Sequence, residues 1–195
     1  MIALVCAIIH SVKIHKNSSQ ARYRWLNKPF SSHLYNTWLI DRGSLTARLQ
    51  QRYANFVVKP VAMKYTKPIQ DEVALFYQSG YKVALIREVL LMGNNQPVVF
   101  AHSVLPSASL RGEWSDLGKV GSKPLGAILF ANPKVKRTPL SYKKLTPSHA
   151  LYKQAALYLQ QAPSYLWARR SIFSLNCANI MVTEVFLPHI ITPIR

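Results

Sequence analysis

The chain has 195 residues, 49% of them hydrophobic, and its 25 lysines and arginines outweigh 7 carboxylates to give a formal charge of +18. This length and apolar content suit one domain with a buried core and exclude a disordered chain. Two cysteines, Cys6 and Cys177, exclude a disulfide framework, and no Cys/His spacing suits zinc. The positive charge favours anionic partners: nucleic acid, an acidic membrane surface or a small polyanion.

The first ten residues read MIALVCAIIH, an apolar run roughly half as long as a membrane span requires. Its basic residues, Lys13 and Lys16, follow the run, whereas a secretory leader carries them in front. Residues 1–20 are therefore predicted to be a disordered N-terminal extension, with the domain over 21–195 and the cytoplasm as the compartment. In LYNTWLIDRGSLTARLQQRY two short amphipathic pieces flank Gly43, and Ser44 suits a helix N-cap. NFVVKPVAMKY is rich in β-branched residues, but Pro60 confines it to a sheet edge or a bend.

YKVALIREVLL, the turn GNNQP and VVFAHSVLP predict an antiparallel hairpin. Pro124 fits the first turn of a helix with Leu125, Ile128 and Leu129 on one face. VKRTPLSYKKL is a further strand weakened by Pro139. PSHALYKQAALYLQQAP is a helix over about 147–162, capped by Ser148 and stopped by Pro163. WARRSIFSLNCANIMVTEVFLP closes the chain as a second hairpin. Strand pairs with few helices give an α+β fold on an antiparallel sheet.

No phosphate-binding glycine loop, nucleophile elbow or HExxH is present. The basic clusters Lys134/Lys136/Arg137, Lys143/Lys144 and Arg169/Arg170 lack interleaved aromatics and read as solvated faces. Two charges stand out. Alternation puts Glu184 on one face with Ile180, Val182 and Phe186. A carboxylate there is desolvated unless a cation or donor compensates. In ALIREVLL, Arg87 shares a face with Leu85, Val89 and Leu91, and Glu88 shares the other with Ala84, Ile86 and Leu90. Alternation alone does not say which face is inward. A buried arginine cannot titrate away its charge, so it needs an anion, either an internal carboxylate or one on a ligand.

Six segments in order, WLIDRGSLTARLQ, LIREVLL, VVFAHSVLP, LGKVGSKPLGAILF, WARRSIF and TEVFLP, resemble the chorismate pyruvate-lyase family over about residues 22–188. The resemblance implies a single domain with a twisted antiparallel sheet of about six strands and helical flaps over a buried site. It implies a cofactor-free, metal-free lyase that converts dianionic chorismate to 4-hydroxybenzoate and pyruvate, the first step of ubiquinone biosynthesis. It places substrate contacts at Leu45, Arg87, Leu125 and Glu184, with Arg87 and Glu184 catalytic. Arg87 then faces inward, and Glu88 should meet a lysine or arginine on the other face.

His102 stands where the family commonly has arginine, which gives it a weaker place in the substrate site. The helix over 147–162 and residues 1–20 look like additions. A monomer is expected, with no specific nucleic-acid partner and peripheral contact with an anionic membrane. The other function class is an effector-sensing domain of the same fold from a transcription regulator, which binds without turnover. The first 30 residues are short for the winged helix-turn-helix such a regulator carries.

Overall fold

The computed structural model describes residues 24–73, 83–115, 117 and 124–193. The extension predicted over 1–20 and most of the glycine-containing loop before Pro124 lie outside them. Seven antiparallel strands form one sheet: β1 (Phe56–Thr66), β2 (Ala84–Gly93), β3 (Gln96–Pro106), β4 (Lys136–Arg137), β5 (Ser141–Leu145), β6 (Leu166–Leu175) and β7 (Ala178–Phe186). The order is β1-β2-β3-β7-β6-β4, with β5 also paired to β6. The expected six strands become seven because β4 and β5 lie end to end along β6. They are separated by Thr138-Pro139-Leu140, where proline has no N–H to give the ladder.

Both predicted hairpins are present. Asn94 and Asn95 have φ of 47° and 64°, the left-handed pair of a tight turn whose twist matches the strands it joins. Asn176, φ 52°, turns the second hairpin. Pro60 does two things at once: β1 is an edge strand, and its register against β2 shifts between Pro60 and Ala62. Gly93 lies against the Tyr53 ring, where a Cβ would come within 2.5 Å of ring carbons.

Among the described residues there are six α-helices: α1 (Asn36–Leu39), α2 (Leu45–Arg52), α3 (Gln70–Val73), α4 (Ser107–Leu110), α5 (Leu125–Ala131) and α6 (Ala150–Ala156). Ser44 caps α2 as predicted, its Oγ accepting from the Ala47 N–H at 3.3 Å. Pro124 sits one position earlier than predicted, as the residue before α5, and Ile128 is exposed while Leu125 and Leu129 are buried. The helix predicted over 147–162 keeps only seven residues, and His149, not Ser148, precedes it. None of these helices is long and apolar enough to cross a membrane.

Alternation gives the sheet two buried faces. On the first, Val89, Leu91, Ala101, Trp167 and Phe186 pack with Trp38, Leu39 and Leu49 of α1 and α2, while Leu105, Phe173 and Ile180 pack with Leu125 and Leu129 of α5. On the second, Leu90, Phe100, Ala168 and Val185 pack with Leu151, Tyr152 and Ala155 of α6. Burial on both faces explains why ALIREVLL and VVFAHSVLP are almost continuously apolar although their sheet is antiparallel.

Candidate active site

A cavity opens on the first face, between the sheet and the N-terminal ends of α2 and α5, and encloses about 570 Å³ counted out to its solvent mouth. Its lining includes Arg87 from β2, Glu184 from β7, Leu45 from α2 and Leu125 from α5. These four residues come from four separate segments. Ala101 and Ser103 of β3 and Ser171 of β6 floor it with small side chains.

The inward position of Arg87 follows from parity. Ser103 is its cross-strand partner, and both face the cavity; Glu88 and His102, the next pair, face the other way. Arg87 is 3% exposed, and burial pulls its guanidinium below the ordinary arginine value. A carboxylate in the cavity would offset that desolvation.

Glu184 has the compensating cation its apolar face called for. Arg169 Nε donates to Glu184 Oε2 at 2.5 Å, and the two residues are cross-strand partners. The other end of the same guanidinium donates to the carbonyls of Trp38 (2.8 Å) and Asp41 (2.5 Å), with a longer contact to Leu39 (3.4 Å). Arg169 therefore holds one carboxylate oxygen still while tying the α1–α2 segment to the sheet. Among the described residues Glu184 Oε1 has no hydrogen-bond partner, which leaves it available to a ligand.

The profile of the family described as Chorismate lyase matches residues 22–195. The chain belongs to the chorismate lyase family. It is 42% identical over 170 residues to a probable chorismate pyruvate-lyase of Methylobacillus flagellatus, covering 87% of this chain and 96% of that one. It is 49% identical over 155 residues to a probable chorismate pyruvate-lyase of Nitrosospira multiformis, covering 79% and 86% respectively. Among solved structures, PhnF from Mycobacterium smegmatis has a TM-score of 0.54 at 15% identity, covering 78% of this chain and 67% of that one. A GntR-family transcriptional regulator from Bacillus cereus has a TM-score of 0.52 at 11% identity, covering 72% and 96%. At such identities the likeness is one of fold alone.

In this chorismate lyase family member His102 is not beside Arg87. Its side chain lies on the opposite face, 2% exposed, with Nδ1 3.0 Å from Glu88 Oε1 and Nε2 3.0 Å from Glu72 Oε1. The sequence-based place for His102 in the substrate site is thus corrected, and so is the partner expected for Glu88: a histidine stands there instead of a lysine or arginine. Burial by itself would lower the pKa of His102, but the two carboxylates outweigh it and raise it from 6.5 to about 9. A group whose folded pKa is raised gives its full stabilisation below the unfolded value and loses it as pH climbs through the folded value. Melting temperature should accordingly fall between pH 6.5 and 9.5, by an amount equivalent to about 3 kcal/mol, and His102→Gln should flatten that fall. An equally steep profile in the variant would overturn this assignment.

Two arginines from the basic clusters expected to be solvated faces point inward instead. Arg169 is 0% exposed, and Arg137 lines the cavity. The alternation of Trp167, Arg169, Ser171 and Phe173 could have put Arg169 on the inward face, in phase with two bulky apolar residues. Nothing local marks Arg137, because its inward direction depends on pairing across to β6.

Proposed function

We propose that this protein is a chorismate pyruvate-lyase that converts chorismate to 4-hydroxybenzoate and pyruvate. The observation that carries the reading is the meeting of Arg87 and Glu184 in one cavity roofed by Leu45 and Leu125, in a chain of this family. Chorismate is a dianion with a ring carboxylate, a ring hydroxyl and an enolpyruvyl ether. Breaking the ether carbon–oxygen bond and losing one ring hydrogen makes the ring aromatic, and a proton delivered to the enol methylene releases pyruvate as the keto acid. Because aromatisation drives the reaction downhill, the protein's task is to hold a reactive conformer and stabilise developing charge.

Each group has a role that fits its chemistry. Arg87 clamps a carboxylate through its planar fork. Glu184, one oxygen held by Arg169, accepts from the ring hydroxyl through the other and assists proton movement. Leu45 and Leu125 are apolar walls that exclude water and strengthen both contacts. The charge of +18 attracts a dianion over a distance and suits a working position near an anionic membrane. The product would enter ubiquinone assembly, with the protein acting as a cytoplasmic monomer.

Incubating purified protein with chorismate should release 4-hydroxybenzoate, followed by chromatography, and pyruvate, followed with lactate dehydrogenase, in equal amounts. Saturable chorismate binding with no product would instead establish an effector-binding domain, the function of the regulators that share the fold.

A further inference from the structure

The cavity floor has an order that only strand register reveals. Arg87 pairs with Ser103, Ser103 with Val182, and Val182 with Ser171, so these four residues form one straight row across β2, β3, β7 and β6. All four line the cavity. Three strand spacings separate the ends of the row, about 14 Å between Cα positions. At the far end Arg137 reaches in from β4, its Nε donating to Ser171 Oγ at 2.8 Å. The row thus has an arginine at each end and short side chains between. Glu184 stands in the adjacent row, formed by Val89, Ala101, Glu184 and Arg169.

Arg137 is held in place by neutral groups. Nη1 donates to the Arg42 carbonyl at 2.9 Å, and the guanidinium lies 5.2 Å from the ring centroids of both Phe130 and Phe173. Among the described residues no carboxylate comes within ion-pairing distance of it; the nearby Asp41 is paired with Arg48 at 2.9 Å, and Glu184 with Arg169 at 2.5 Å. Burial lowers the pKa of Arg137, and the field of Glu184 acts against that. A partly desolvated guanidinium fixed by a serine and a backbone carbonyl, with three of its five N–H groups left over, suits a ligand carboxylate held at its edge.

We propose that Arg137, oriented by Ser171, binds the enolpyruvyl carboxylate of the substrate, the one that leaves with pyruvate, while Arg87 binds the carboxylate that stays on the ring. The inference rests on the lyase reading and sharpens it. A dianion calls for two cations, and the row supplies them at opposite ends. The allocation follows from Glu184. The ring hydroxyl and the ether lie on adjacent ring carbons, away from the ring carboxylate. Arg137 Nε rests on Ser171 of β6, the strand beside the one that carries Glu184, whereas Arg87 starts from β2, two strands away from Glu184. Glu184 and Arg137 therefore serve the reacting end of the ring, and Arg87 the other.

The two arginines should separate substrate from product. 4-Hydroxybenzoate keeps the ring carboxylate but lacks the enolpyruvyl one. Arg137→Ala should raise KM for chorismate by at least 30-fold while the inhibition constant of 4-hydroxybenzoate stays within twofold. Arg87→Ala should weaken binding of both, measured for that variant by calorimetry. Arg137→Lys, which keeps the charge without the fork, should recover part of the chorismate affinity, and melting curves of both Arg137 variants should overlay the wild type to within a few degrees. An unchanged KM in Arg137→Ala, or parallel losses for chorismate and 4-hydroxybenzoate, would overturn the assignment. Wild-type protein that releases no 4-hydroxybenzoate would instead overturn the lyase reading on which it rests.

Discussion

Arg87→Ala should abolish measurable turnover, with kcat/KM falling about 1,000-fold, while the fold survives. Arg87 is 3% exposed, so a carboxylate bound to it is itself drawn out of water. Truncating one partner of such a buried charge pair costs about 2–5 kcal/mol, and every factor of ten in rate corresponds to about 1.4 kcal/mol. The fold should survive because the side chain ends in a cavity that opens to solvent, where water can take its place. Steady-state 4-hydroxybenzoate formation measures the loss, and a thermal melt checks the fold. Near-normal kinetics in the variant would remove Arg87 from the site.

Arg169→Ala should do the opposite and attack the fold itself. The substitution strips the cation from Glu184 and the donor from the carbonyls of Trp38 and Asp41 in one step. Removing one partner of a buried ion pair costs about 3–5 kcal/mol, which in a chain of this size is a fall of about 10 °C in melting temperature. Glu184→Gln is the informative comparison. It keeps an oxygen for Arg169 and leaves the carbonyl contacts in place, so it should reduce kcat while costing little stability. A melting temperature within 2 °C of wild type for Arg169→Ala would show that the α1–α2 segment is held by other means.

Particular residues show where the sequence was readable. Asn94-Asn95 and Pro60 announced a turn and an edge because backbone dihedral limits act within a few residues. Glu184 stood out because it was a lone charge on an otherwise apolar face. His102 was misplaced because VVFAHSVLP is apolar on both faces, so alternation carries no direction there. Its orientation is decided by Glu88 across the ladder and Glu72 from α3. Arg137 and Arg169 were hidden for a related reason. A cluster of basic residues looks solvated until the pairing of distant strands shows that alternate members point inward.

The adjacency of Arg87 and Glu88 has a consequence for how the chain finds its structure. Sliding a strand by one residue exchanges its two faces. For β2 that slip would put Glu88 in the cavity near Glu184, and would bring Arg87 to the back of the sheet beside His102, which would have lost Glu88 as its partner. Apolar residues on β2 are nearly interchangeable between the faces, so hydrophobic burial would barely resist the error. The oppositely charged neighbours do resist it, and the Asn94-Asn95 turn fixes the count from the other end. The same dipeptide that equips the site thus acts as a proofreading mark during assembly of the sheet.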